Sequence, residues 1–476
     1  MKGIKTAISI ALTCGASNAM AGALAPRASS LSPVTVKGNA FFAGNDRFYI
    51  RGVDYQPGGS SDPVDPLANS DTCTRDIEEW VISLAENEDR TEFCPTRFTK
   101  LGINTLRVYT IDNSANHDVC MNALAAAGIY LALDVNTPKY SLNQLKPRDS
   151  YNHVYLQNVF ATIDEFVQYD NTLLFFSGNE VINSIPTSDA APYVKAVTRD
   201  MKQYIGNRQY RKVPVGYSAA DIDDNRVETA EYMNCGTDDQ RVDFFAFNDY
   251  SWCDPSTFTT STWSQKVDAF SNYSAPIFLS EYGCTKTARK FEEVSTLYSD
   301  QMTPVYSGGL VYEYTVEGDA KQQRFGLVDI QGGKAVEQPD FASLQSAFKG
   351  TALPTGDGGF KSAGSASTCP TASKTWLVGN DSLPAMPAQA SQYFKNGAGK
   401  GAGLQGGGSQ DAGAESTGTA TAGSGQPTVT GTANAGSMPT SSKGAASSVR
   451  IPELSAAPFA CGLVVLISSF VGATLL

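Results

Sequence analysis

Histidine is almost missing from this chain: His117 and His153 are the only two in 476 residues. Two imidazoles in unrelated contexts leave little for a Ser–His–Asp triad or a histidine-built metal site. His117, in the polar run "NSANHDVC", reads as a solvated helix start, and His153 in "SYNHVY" as a surface or helix residue. No C-x-x-C pair occurs, which argues against zinc sites and dithiol redox chemistry. The run "GYSA" at 216–219 lacks the second glycine of a nucleophile elbow. No basic block exists either: 36 Lys and Arg against 48 Asp and Glu give a net charge of −12. Nucleic acid is therefore a poor partner. No metal and no cofactor is expected.

What is present begins with the two ends. "MKGIKTAISIALTCGASNAMAGALA" has Lys2 and Lys5, then an apolar run, then small residues. That order predicts a secretory signal peptide over residues 1–21, the alternative being a buried N-terminal helix. Residues 456–476 are apolar, uncharged and terminal, behind the small residues "SSKGAASS" and the spacer "VRIPEL". Small site, spacer and tail predict a glycolipid (GPI) anchor signal over 445–476, attached at Gly444, Ala445 or Ala446; a membrane-spanning helix is the alternative. The chain is thus expected on the secretory pathway, held at the outer face of the cell membrane or passed to the cell wall. In that oxidising setting the cysteines between the two signals should mostly be bridged, but Cys73, Cys94, Cys120, Cys235, Cys253, Cys284 and Cys369 are odd in number. Asn272 ("NYS") and Asn380 ("NDS") fit the N-glycosylation pattern.

Between the signals, residues 25–345 are aromatic-rich and globular in character. They carry eight short apolar runs: "RFYIRGVDY", "INTLRVYT", "IYLALDVN", "TLLFFSGNE", "KVPVGYSA", "VDFFAFNDY", "APIFLSEYG" and "GGLVYEYT". Helix-like segments such as "APYVKAVTRDMKQYIGN" separate them. Eight strands alternating with helices predict a (β/α)8 TIM-type barrel, with an open doubly wound sheet as the alternative. That alternative loses its dinucleotide-binding form, because no G-x-G-x-x-G follows the first run. From 346 to 440 the composition turns to Gly, Ser, Ala and Thr, which predicts a disordered linker or stalk.

Catalytic groups of a barrel gather where its strands end. Those ends carry Tyr55, Gln56, Tyr109, Asp134, Asn136, Asn179, Glu180, Tyr217, Asp221, Asn248, Tyr250, Glu281, Tyr282, Tyr312 and Tyr314. Glu180 follows the fourth strand and Glu281 the seventh, on facing sides of the mouth. Two carboxylates across a cleft are what glycoside cleavage requires, one as proton donor and one as nucleophile. Asn179, directly before Glu180, could bind a sugar 2-hydroxyl. A lone strand-end glutamate is more often a salt-bridged structural residue; two, one of them preceded by Asn, favour catalysis.

The motifs "IRGVDYQPGG", "DPLANSDTCTRD", "LGINTLRVYTID", "SGNEV", "RKVPVGYSAAD", "FLSEYGC" and "SGGLVYEY" follow one another in order. With them the chain resembles the fungal β-1,3-glucanosyltransferases of glycoside hydrolase family 72. The resemblance implies a retaining transferase that elongates cell-wall β-1,3-glucan, with glucan chains as donor and acceptor. It implies Glu180 as acid/base and Glu281 as nucleophile, with Tyr109, Asn179, Asp221, Arg226 and Tyr312 contacting glucan. It also implies bridges Cys73–Cys120, Cys253–Cys284 and Cys235–Cys369. Residues 77–97 are longer than the family's usual link and contain Cys94, the odd thiol, which could be free or compete for Cys73. Rival readings keep the same cleft: an endo-β-1,3-glucanase, or a non-catalytic glucan-binding wall protein.

Overall fold

Each of the eight apolar runs becomes one stave of a closed parallel barrel in the computed structural model. The structure describes residues 31–425 except 60–61, 69–74, 77–78, 84–89, 95–96, 318–324, 380, 416–417, 422 and 424. For residues 79–83 and 90–94 it describes the backbone alone. A small antiparallel sheet comes first, β1 (Val34–Lys37), β2 (Ala40–Ala43) and β3 (Asp46–Phe48). The first stave, β4 (Ile50–Tyr55), is followed by a hairpin, β5 (Glu79–Ser83) and β6 (Arg90–Cys94). The remaining staves are β7 (Thr105–Val108), β8 (Tyr130–Asp134), β9 (Thr172–Asn179), β10 (Val215–Ala220), β11 (Phe244–Asp249), β12 (Ile277–Tyr282) and β13 (Tyr306–Val311). The barrel closes by pairing β13 with β4, so no edge is left open. After it comes a second hairpin, β14 (Val328–Gln331) and β15 (Lys334–Glu337).

A main helix returns the chain after each stave: α1 (Arg97–Leu101), α2 (Asp118–Ala126), α3 (His153–Phe166, preceded by a single helical turn at Pro147–Ser150), α4 (Ala191–Asn207), α5 (Arg226–Met233), α6 (Trp263–Phe270), α7 (Glu293–Leu297) and α8 (Pro339–Gly350). In α3 the start is set by Asn152, whose side chain accepts from the Tyr155 amide. Tyr155, Leu156, Val159, Phe160, Ile163 and Phe166 then recur at helical spacing and are buried against the barrel.

Inside, the staves form an apolar floor. Phe41 of β2 enters the barrel and meets Phe244 and Phe278, which with Phe176 make a cluster with ring centroids 5.3–6.2 Å apart. Tight stave pairing needs Gly308, at φ +86°, where a Cβ would stand 2.0 Å from the Ile50 carbonyl oxygen.

The segment past α8 differs from the expectation of a disordered tract beginning at residue 346. Residues 351–425, where described, lie on the outside of the barrel as a strap. Cys369 is bridged to Cys235. Trp376 is fully buried against Tyr232, and Tyr393 and Phe394 pack on Phe160. The barrel's side chains satisfy the strap's backbone: Arg199 donates to the Pro384 carbonyl (3.0 Å), Gln157 to Ala398 (2.9 Å) and Lys139 to Leu404 (2.9 Å). Low-complexity composition signals too little apolar surface for an independent core. Here a few aromatic anchors and borrowed hydrogen bonds suffice, because the partner surface already exists.

Cys253 and Cys284 are also bridged. Cys120 is disulfide-bonded to a cysteine outside the described side chains, a set that includes Cys73 and Cys94. Asn272 is exposed, whereas Asn380 and both terminal signals lie outside the described residues. No helix among the described residues is long and apolar enough to cross a membrane.

His117 is not a solvated helix start. It is fully buried, with Nε2 2.8 Å from Asp65 Oδ2 and Nδ1 2.8 Å from Glu165 Oε1. Burial disfavours its charge, but the two carboxylates outweigh burial and raise it to about 9. The imidazolium joins the loop after β4 to α3. Because the folded pKa exceeds the unfolded value of ~6.5, its contribution is complete below that pH and fades as pH rises through about 9. The stability gap between the native chain and His117→Gln in urea titrations should therefore narrow between pH 6 and pH 10, by on the order of 3 kcal/mol; a constant gap would mean the ring is neutral. The same titration tests the strap. Relative to a chain ended after residue 425, one ended after residue 350 should lose at least ~2–5 kcal/mol, the usual cost of a native disulfide alone.

Candidate active site

Arg107 is a cation buried inside the barrel mouth. It sits in the middle of β7, fully buried, with its guanidinium 4.4 Å above the Phe176 ring and 4.2 Å from that of Tyr109. A buried charge needs partners, and Arg107 has four. Nε donates to Asp134 Oδ2 (2.9 Å) and Nη2 to Asp134 Oδ1 (3.3 Å). Nη2 also donates to Asn179 Oδ1 (3.1 Å), and Nη1 to Glu281 Oε1 (3.3 Å) and the Ser280 carbonyl (3.2 Å). Burial opposes the charge, and Asp134, Tyr109 and Glu281 outweigh it, so the guanidinium is held above its usual range.

Glu281, on β12, is 7% exposed. Besides Arg107 it accepts from the hydroxyls of Tyr109 at Oε1 and Tyr250 at Oε2, each at 2.7 Å. Glu180 stands just past β9, across the barrel, and its environment is poorer: Asn248 Nδ2 donates to Oε1 at 2.8 Å. Its backbone is in the left-handed region at φ +49°, with its amide bonded to the Ser218 carbonyl (2.9 Å) beside a register shift between β9 and β10. A non-glycine residue there stores of order 1–3 kcal/mol of strain, which the strand pairing holds in place.

A ladder of small polar groups fixes both glutamates. Ser218 Oγ donates to Asn179 Oδ1 (2.7 Å) and lies 2.9 Å from Ser280 Oγ. Ser280 Oγ also contacts Asn248 Oδ1 at 2.9 Å. With Asn179 Oδ1 receiving Arg107, Ser218 and Asn248, the orientation of its amide is determined. Its Nδ2 is the atom left to donate to a ligand.

Burial raises both carboxyls above the usual range. For Glu281, Arg107 opposes burial, Glu180 adds repulsion, and the two tyrosines favour the anion. For Glu180, Asn248 and Arg107 oppose it. Glu281 is pushed up to about 7, and the two carboxyls share one field and titrate as a pair; they differ in their hydrogen bonds, with three side-chain donors on Glu281 and one on Glu180. A coupled pair that holds one proton provides an acid and an anion at one site.

The expected site residues divide. Tyr109, Asn179, Glu180 and Glu281 converge, with Tyr250 and Asn248. Tyr312 stands at the rim, edge-on to Tyr109 and Tyr250 (6.4 Å each) and to Phe325 (5.3 Å). Asp221 and Arg226 pair with each other at 2.5 Å, and Lys266 joins Asp221 to Asp249. Among the described residues, no hydrogen bond links that network to either glutamate. Asn136 serves structure, its side chain accepting from the Tyr155 hydroxyl at 2.6 Å. Tyr55 and Tyr314 both bond Asp76. Arg107, Ser218 and Ser280 are the members not anticipated from sequence. Arg107 left a readable signal, a charge in the middle of the apolar run "TLRVYT".

Comparison with known proteins agrees with this geometry. A family model described as glucanosyltransferase matches residues 23–352. The chain is 58% identical over 402 residues to the 1,3-beta-glucanosyltransferase gel1 of Aspergillus fumigatus, covering 84% of each chain. It is 50% identical over 380 residues to 1,3-beta-glucanosyltransferase GAS5 of Saccharomyces cerevisiae, covering 79% of this chain and 74% of that one. Its fold superposes with a TM-score of 0.66, at 33% identity and 76% coverage of each chain, on a mutant of Saccharomyces cerevisiae Gas2p in complex with laminaritetraose and laminaripentaose. The chain belongs to the fungal glucanosyltransferases of glycoside hydrolase family 72.

Proposed function

We propose that this chain elongates β-1,3-glucan by a retaining double displacement, with Glu281 as nucleophile and Glu180 as acid/base. The observation that carries the reading is the unequal donation to the two carboxyls: a guanidinium and two tyrosines for Glu281, one amide for Glu180. Its relatives' names and the oligosaccharides in the Gas2p complex support the substrate class.

In this reading a Glu281 oxygen bonds the anomeric carbon of an internal β-1,3 linkage as that carbon's bond to the glycosidic oxygen breaks. Glu180 gives its proton to the departing oxygen, and a glycosyl ester remains on Glu281. The ionised Glu180 then takes the proton from a hydroxyl of a second chain. That oxygen attacks the anomeric carbon, the ester breaks, and a longer chain with a new β-1,3 bond leaves. Asn179 Nδ2, with its Oδ1 already engaged, would donate to the sugar 2-hydroxyl, where hydrogen bonds strengthen in the transition state. Tyr312, Tyr250 and Phe325 offer ring faces to the sugars. Because the Tyr109 proton is directed to Glu281, that residue acts on the nucleophile more than on glucan. Asp221 and Arg226, already paired, would shape the rim.

The terminal segments support secretion and a glycolipid anchor on the outer membrane face, with later transfer to the wall compatible with both. Asn272, exposed, is available for glycosylation.

The two glutamate roles separate by experiment. Glu281→Gln and Glu180→Gln should each lower elongation of a laminari-oligosaccharide by several orders of magnitude. On a β-glucosyl fluoride donor, whose leaving group needs no proton, Glu180→Gln should still form the covalent intermediate, detectable by mass, and Glu281→Gln should not. The opposite pattern would exchange the roles. Products no longer than the substrate from the native enzyme would make it a hydrolase.

A further inference from the structure

A third acid stands beside this pair without a role in the steps above. Asp54 lies on β4 directly opposite Arg107 in the pairing with β7, and its side chain is fully buried. Neither carboxyl oxygen finds a hydrogen-bond partner at full geometry. The Tyr109 hydroxyl is beside it, and Arg107, Glu281 and Asp134 face it at longer range. Glu313, Tyr312, Tyr250 and Tyr282 share its field from the other strands.

Two features decide its state. Arg107 directs its donors to Asp134, Asn179, Glu281 and the Ser280 carbonyl, and none to Asp54. Tyr109 has one proton, which points to Glu281 at 2.7 Å. A single hydroxyl proton cannot serve two carboxylates, so an ionised Asp54 would face the oxygen lone pairs of Tyr109 with nothing to accept from. A protonated Asp54 has the complementary polarity. Burial, the largest influence, raises its pKa well above the usual range; Glu281 and Asp134 add to it, while Arg107 and the adjacent Tyr109 hydroxyl oppose it without overcoming it.

We propose that Asp54 is a positioning residue: a neutral carboxyl that donates to the Tyr109 oxygen and so commits the Tyr109 proton to the nucleophile Glu281. The inference rests on the assignment of Glu281 above. A hydroxyl that accepts one hydrogen bond is a better donor of the next. The chain Asp54–Tyr109–Glu281 would thus hold the Glu281 oxygen in place while it is an anion, before the ester forms and after it breaks.

The test is donor consumption and product size on a laminari-oligosaccharide for the native enzyme, Asp54→Asn, Asp54→Leu, Asp54→Ala, Tyr109→Phe and Asp54→Leu combined with Tyr109→Phe. An amide can donate as a neutral acid does, so Asp54→Asn should stay within about threefold of native. Asp54→Leu, similar in volume but without a donor, should lose roughly ten- to a hundredfold in kcat with KM little changed. Asp54→Ala should fall equally if the leucine does not fit. In the Tyr109→Phe background the Asp54 substitution should add nothing, because the link is already cut. Loss in Asp54→Asn as deep as in Asp54→Leu would overturn the proposal, since it would mean an anion is needed there. Multiplicative losses in the double variant would also overturn it, as would native activity in the leucine or alanine variant. Shorter products only, from the native enzyme, would refute transfer while leaving the consumption comparison, and hence Asp54, decided.

Discussion

The site is organised around a single buried guanidinium. Arg107 has the phenylalanine floor beneath it and the two glutamates above it, and it spans the barrel from Asp134 to Glu281. Desolvating such an ion costs several kcal/mol unless its geometry is well satisfied. Its five donors are therefore distributed over a bidentate aspartate, an amide oxygen, a carbonyl and the Glu281 carboxylate. Once these are in place, the rest follows by complementarity. Asn179 is oriented because its oxygen is taken, Glu281 receives the cation, and Glu180 is left with one amide donor, the inequality on which the proposed roles rest.

The barrel makes this arrangement possible by separating layers along its axis. The lower interior is closed by Phe41, Phe176, Phe244 and Phe278, which exclude water and give Arg107 an apolar platform. The upper interior is polar and crosses four staves through Asn179, Ser218, Asn248 and Ser280. Low dielectric below strengthens every charge interaction above. The same low dielectric favours the neutral state proposed for Asp54, whose two oxygens lack a hydrogen-bond partner at full geometry.

The strap shows a different economy. Its glycines allow the backbone to run close over the loops after β7 and β8, where a Cβ on Gly401 would stand 2.1 Å from Asn113 Oδ1 and one on Gly406 2.1 Å from the Tyr140 hydroxyl. Small residues here make close approach possible. Composition reads the same residues as disorder, because it counts apolar area and has no knowledge of a neighbouring surface.

Much of the architecture was legible in local pattern. Apolar runs of four to eight residues alternating with amphipathic helices specify (β/α)8 units, since each run can be satisfied only by parallel neighbours on both sides. A polar or acidic residue ending such a run marks the mouth, which is how Glu180 and Glu281 stood out. Arg107 was equally visible as a charge among apolar neighbours, but its partners come from β8, β9 and β12, and only closure of the barrel brings them within reach. His117 gave a misleading local signal for the same reason. The polar residues around it suggest solvent, whereas Asp65 and Glu165, distant in sequence, enclose it. The sequence by itself determined the eight staves, the positions of the two glutamates at their ends and the family. Tertiary structure decided which carboxyl receives the guanidinium, which tyrosines bond Glu281 and where the strap lies, because electrostatic environment and surface contact are properties of residues brought together only by folding.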